Sequence, residues 1–253
     1  MIELRDLTKR YGDVIAVDCV NLHVPAGEIF GFLGPNGAGK TTTIRMMMGL
    51  LQPTEGSVWL GGHHLSADPL RAKQMCGFVP DRPYIYEKLT ASEFLAFVAG
   101  LYSVPDGLMD KRRAELLDLF DLTNWADDLV ESYSHGMKQR LTMASALIHG
   151  PRLLIVDEPM VGLDPRGARL LKRTFRQLAA EGVTVFMSTH SLEVAEETCD
   201  RVGIINQGHL IAVGSVDELR QQVGSADHLP IESLFLTLTG GIEGDGAVGG
   251  MRV

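Results

Sequence analysis

The chain has 253 residues, enough for one or two domains with a full core. Its 45% hydrophobic and 22% charged residues exclude the disordered and fibrous classes. Acids outnumber lysine plus arginine by 32 to 23, a formal charge of −9, which argues against a nonspecific nucleic-acid binder because such a protein needs a basic face.

The first six residues, Met-Ile-Glu-Leu-Arg-Asp, carry charges where a signal peptide needs an apolar stretch, so no secretory or transit segment is expected. Short β-like runs and turns alternate through the first 60 residues and predict an amino-terminal β subdomain. Ile29, Phe30, Phe32 and Leu33 form a strand candidate, and a helix is predicted from Ile44 to Leu51, with Met46, Met47 and Met48 packed into the core. His63 and His64 fit a surface turn better than a metal site, since no partner ligands lie at useful spacing. Roughly residues 82–150 read as a helical insertion. Within it, Thr90 to Glu93 is a capping box before Phe94, Leu95, Phe97 and Val98, and more helix follows from Leu116 to Phe120. The longest apolar run, Phe94 to Val104, is about half the ~20 residues of a membrane helix.

The apolar run Leu153 to Val156 suits a strand covered on both faces, as does Val183 to Met187. Between them Asp164 and Pro165 offer an N-cap and a first-turn proline for a helix carrying Leu170, Leu171, Thr174, Phe175 and Leu178. Glycine dominates the end, so 240–253 is expected to be a flexible tail. Cys19, Cys76 and Cys199 are odd in number and lack CxxC spacing, which suggests neither disulfides nor zinc, and a reducing cytoplasm. The whole predicts an α/β fold with a largely parallel central sheet.

The chemistry is concentrated in a few segments. Gly34-Pro35-Asn36-Gly37-Ala38-Gly39-Lys40-Thr41 lies between a strand and a helix, as a P-loop requires. Its glycines let backbone N–H groups wrap phosphates at a helix N-terminus. Lys40 would neutralise the β and γ phosphates, and the Thr41 hydroxyl would ligate Mg²⁺. A second metal-binding carboxylate is available in Asp157, which would hold Mg²⁺ through water at the carboxyl end of its strand. The adjacent Glu158 is placed to polarise an attacking water.

Ser134-His135-Gly136-Met137-Lys138-Gln139-Arg140, just before the Asp157 strand, resembles the signature motif of ABC-type ATPases, and the resemblance covers about residues 2–239. It implies a P-loop NTPase core, an amino-terminal antiparallel β subdomain and an inserted helical subdomain within one domain over 1–239. It implies ATP as substrate with Mg²⁺, held by the P-loop residues and Thr42. By the same resemblance Tyr11 stacks on adenine, Asp81 takes the Q-loop position as a catalytic residue and metal ligand, Gly162-Leu163-Asp164 is the D-loop, and His190 is the switch histidine. Asp81 stands where glutamine is usual. This replacement, the Ser-x-Gly-Met-Lys-Gln-Arg form of the signature and the ending Leu234 to Gly240 are similar to ATPase subunits of ABC-2 type exporters.

The implied function is ATP hydrolysis driving an ABC transporter through separate transmembrane permease subunits, at the cytoplasmic face of the cell membrane. Two copies, or this chain and a paralogue, would sandwich two ATP molecules, with Ser134 and Gly136 reaching the nucleotide held by the partner. A soluble ABC ATPase acting on nucleic acid or ribosomes is the alternative, disfavoured by the −9 charge. A small-molecule kinase or a GTPase would leave the Ser134 to Arg140 segment without a purpose.

Overall fold

The computed structural model describes residues 1–82 and 84–222. Two sheets share the core. Strands β1 (Ile2–Tyr11), β2 (Val14–Val24), β4 (Glu55–Leu60) and β5 (His63–His64) form an antiparallel sheet in the order β2-β1-β4-β5. The second sheet has the order β10-β9-β3-β8-β7-β6, from β3 (Ile29–Leu33), β6 (Cys76–Val79), β7 (Leu153–Asp157), β8 (Thr184–Thr189), β9 (Arg201–Asn206) and β10 (His209–Gly214). Its neighbours are parallel except for the β9–β10 hairpin.

Every residue of β3, β7 and β8 is buried, because helices or the other sheet cover both faces. The two-residue period of a strand then sorts side chains by parity. Phe30, Phe32, Leu153, Ile155 and Phe186 face the antiparallel sheet and the helix α1 (Lys40–Met47). Ile29, Leu33, Leu154, Val156, Val185 and Met187 join a second core, to which α3 (Ala91–Leu101), α4 (Asp106–Leu119), α5 (His135–Leu147), α6 (Pro165–Ala180) and α7 (Leu192–Thr198) contribute. Phe186 lies against Phe30 at 5.7 Å and Phe32 at 5.5 Å between ring centroids, joining neighbouring strands on the first face. The short helices α2 (Pro69–Gln74) and α8 (Val216–Gln222) complete the described chain. As expected, α3, α4 and α5 are inserted between β6 and β7.

The end signals are used as predicted: Thr90 and Glu93 form both bonds of a capping box on α3, and Asp164 accepts from the Gly167 N–H at 2.7 Å to cap α6, with Pro165 in its first turn. Other boundaries differ. The predicted helix Ile44 to Leu51 runs instead from Lys40 to Met47. Gly39 at φ +109° turns the chain into a helix at once, and Gly49 at φ +61° ends it before Leu50 and Leu51. The predicted strand at Val183 starts one residue later and extends to Thr189. His63 and His64 pair with Leu60 and Trp59 in a two-residue strand instead of forming a turn. His64 sets its ring edge-on to Trp59, and His63 lies 3.5 Å from Asp68. The methionines of 46–48 are buried, as expected. The glycine-rich tail and the Leu234 to Gly240 ending lie outside the described residues.

Candidate active site

Four adjacent parallel strands, β3, β8, β7 and β6, end at the same edge of the sheet, and the loops beyond them carry the candidate site residues. The P-loop leaves β3. Gly34 has no room for a side chain, since a Cβ there would sit 2.3 Å from the Ile205 carbonyl oxygen. A Cβ on Gly39 would lie 2.6 Å from the Ala16 carbonyl oxygen, and its positive φ disfavours other residues as well. The loop is thus clamped between β2 and β9, and α1 presents its first N–H groups, which have no partner within the helix.

Lys40 is almost fully buried. Its ammonium donates to the carbonyls of Gly34 at 2.7 Å and Pro35 at 3.2 Å and lies 3.3 Å from Glu158 Oε1. The other Glu158 oxygen is 3.0 Å from His190 Nδ1, and the His190 side chain is half exposed. Asp157 ends β7, buried, and accepts a hydrogen bond from Ser188. Burial raises its pKa, partly offset by hydrogen bonds from Ser188 and Thr41, while nearby Asp81 and Glu158 push it further up. A cavity of about 290 Å³ collects Pro35, Asn36, Thr42, Asp81 and Glu158 together with Lys40 and Thr41.

Tyr11, at the end of β1, does not line that cavity. Its ring is half exposed, with the Lys9 ammonium 5.2 Å from the centroid. Ala38 is buried, and its carbonyl accepts from the Gly208 N–H at 3.0 Å. Ser134 caps α5 by accepting from the Met137 N–H at 3.3 Å. With Gly136, Arg140, Asp164 and Arg166 it lines a separate groove of about 580 Å³ that shares no lining residue with the P-loop cavity.

Two further residues were given no individual role by sequence reasoning. The Ser188 hydroxyl joins Asp157 to the backbone of Glu158. Gln139 donates from Nε2 to the Pro159 carbonyl at 2.6 Å, bracing α5 against the chain just past Glu158, while its Oε1 is buried with no hydrogen-bond partner among the described residues. Gln139 was visible as part of the signature segment. Ser188 had no signal beyond its place near the end of an apolar run.

Residues 17–161 match the family described as ABC transporter. The chain belongs to the ABC transporter family. It is an ATP-binding ATPase of that family, and its similarity to individual members extends past the matched segment. It is 41% identical over 224 residues to the linearmycin resistance ATP-binding protein LnrL of Bacillus subtilis, an alignment covering 88% of this chain and 72% of that protein. Among solved structures, an ATP-binding subunit of an ABC transporter superposes with a TM-score of 0.88 at 32% identity, covering 94% of this chain and 99% of that one. A dimeric ATP-binding cassette in a post-hydrolysis state, bound to ADP and phosphate, gives 0.74 at 26% identity over 85% of this chain and 98% of that one. The ABC fold therefore accounts for both sheets and the inserted helices.

Proposed function

We infer that this ABC ATPase powers an ABC-2 type exporter, working in pairs at the cytoplasmic face of a membrane and coupled to separate membrane subunits. The observation that carries this reading is the gathering of Lys40, Thr41, Asp81, Asp157, Glu158 and His190 at one sheet edge while Ser134 and Gly136 face a different groove. The relative named for linearmycin resistance supports the export class. Among the described residues no helix is long and apolar enough to cross a membrane, so the reading assigns the membrane path to other subunits.

In this mechanism the P-loop from Gly34 to Gly39 and the N–H groups of Lys40, Thr41 and Thr42 wrap the phosphates of ATP. Lys40 exchanges the Gly34 and Pro35 carbonyls and the Glu158 carboxylate for phosphate oxygens. That exchange frees Glu158 Oε1 to take a proton from the attacking water, with His190 holding Oε2. The Thr41 hydroxyl and the Asp157 and Asp81 carboxylates are hard oxygen donors that suit Mg²⁺. Bound Mg²⁺ supplies neutralisation of phosphate charge. Ser134 and Gly136 close the site from the partner copy.

Tyr11 is assigned to adenine. Tyr11→Ala weakens ATP binding by about 1–3 kcal/mol, the range for base–aromatic stacking, and Tyr11→Phe binds nearly normally. Titration of folded protein checks this, and unchanged affinity in the alanine variant removes Tyr11 from the site.

The membrane subunits are assigned to the loop after Asp81. Tyr84 is 86% exposed, and Tyr86 beside it packs edge-on against Phe97 at 5.3 Å, so aromatic rings are displayed outward. Pro83 lies outside the described residues. The test is copurification of the full chain with detergent-extracted membrane polypeptides, followed by their identification. Tyr84→Asp abolishes transport while the isolated subunit still binds ATP. Normal transport in that variant overturns the docking assignment, and capture of ribosomes or nucleic acid instead of membrane subunits overturns the exporter reading.

A further inference from the structure

Ser188 sits in β8 directly opposite Asp157 in the parallel register and is completely shielded from solvent. Its hydroxyl makes two contacts. It donates its proton to Asp157 Oδ1 and accepts the Glu158 backbone N–H at 2.9 Å. One hydroxyl has one proton and two lone pairs, so both bonds form at once. Glu158 is one of the few non-glycine residues with a positive φ, +50°, in the left-handed region that a residue with a Cβ avoids. That backbone conformation aims its carboxylate at Lys40 and His190. The Ser188 hydroxyl is the acceptor that ties the Glu158 amide to the neighbouring strand.

We propose that Ser188 is a positioning residue for ATP hydrolysis, fixing the spacing and orientation of Asp157 and Glu158 through a single oxygen. The proposal rests on the reading of Glu158 as the proton acceptor. Among the described residues Ser188 Oγ is the hydrogen-bond acceptor of the Glu158 amide, so turnover suffers more than nucleotide capture.

The test compares Ser188→Ala, Ser188→Thr and Ser188→Val with Glu158→Gln in the full chain. Thr and Val have the same shape and differ by a hydroxyl against a methyl. In Ser188→Ala and Ser188→Val, kcat falls about 10- to 100-fold, the range for partners that orient catalytic and metal-binding groups, while KM for ATP stays within about twofold. Ser188→Thr recovers to within about threefold of the parent. A second readout is independent of turnover: Ser188→Ala binds a fluorescent ATP analogue normally and accumulates as an ATP-bound dimer on size exclusion with light scattering. A variant damaged only in structure loses both. Parental kcat in Ser188→Ala beside an inactive Glu158→Gln overturns the role of Ser188, whereas an active Glu158→Gln overturns the reading of Glu158 itself. Loss of nucleotide binding in parallel with kcat in Ser188→Ala also overturns the proposal. If the added methyl impairs Thr and Val equally, Ser188→Ala decides, since it removes the oxygen alone.

Discussion

Replacing Glu158 with Gln lowers ATP turnover by at least the ~10² associated with a general base and leaves ATP binding intact. The amide keeps the size and hydrogen-bonding reach of the carboxylate, but it cannot take a proton from water. It also breaks the ion pair with Lys40, whose ammonium lies 3.3 Å from Glu158 Oε1. Lys40 then has two neutral carbonyls, of Gly34 and Pro35, as competitors for a phosphate oxygen in place of a charged group. Nucleotide should therefore stay bound and uncleaved, and the variant should collect as an ATP-bound dimer. Steady-state kinetics and size exclusion with light scattering check the two halves separately. Parental turnover in Glu158→Gln removes this residue from the mechanism.

The second large effect concerns the shared arrangement. Ser134→Arg places a long cation at the entrance to α5, where Ser134 lines a groove distinct from the P-loop cavity. Dimer formation and ATPase activity are lost, and monomer ATP binding survives. Loss of the helix cap costs about 1 kcal/mol, so the unfolding midpoint must be followed to confirm that the variant is folded. Mixing this variant with Glu158→Gln gives the sharper result. In a mixed dimer one site carries both lesions, while the other pairs the intact Glu158 of one chain with the intact Ser134 of its partner. Activity should recover on mixing. Activities that merely add, in samples shown to contain mixed dimers, contradict a site built from two chains.

Much of this architecture was legible in the residues. The uninterrupted apolar run from Leu153 to Val156 marked a strand covered on both faces, and that is how β7 lies. Thr90, Glu93, Asp164 and Pro165 are helix-start signals whose partners lie within three or four residues, so local sequence suffices. The P-loop was read from its spacing, because backbone wrapping of phosphate imposes a fixed pattern, and the Asp157-Glu158 pair from its place at the carboxyl end of an apolar run. Other features depend on contacts distant in sequence. Gly39 starts α1 early under the constraint of Ala16, which comes from β2. Placing Ser188 beside Asp157 requires knowing that β7 and β8 are neighbours and in what register. The unusual backbone of Glu158 is set by that same pairing.

The parity of the sheet has a further consequence. Leu153, Ile155 and Asp157 share one face of β7, and Phe186 and Ser188 share the same face of β8. Asp157 is thus the last rung of a ladder whose lower rungs are grease. Adding or deleting a single residue within Leu153 to Val156 would leave the strand equally apolar and equally able to pair. It would also swing the carboxylate away from α1 to the opposite side of the sheet, because a slip of one reverses every side chain. Strand length here is under a stricter constraint than strand composition. Substitution among Leu, Ile and Val is cheap, whereas a change of reading length by one residue disarms the enzyme while sparing the fold.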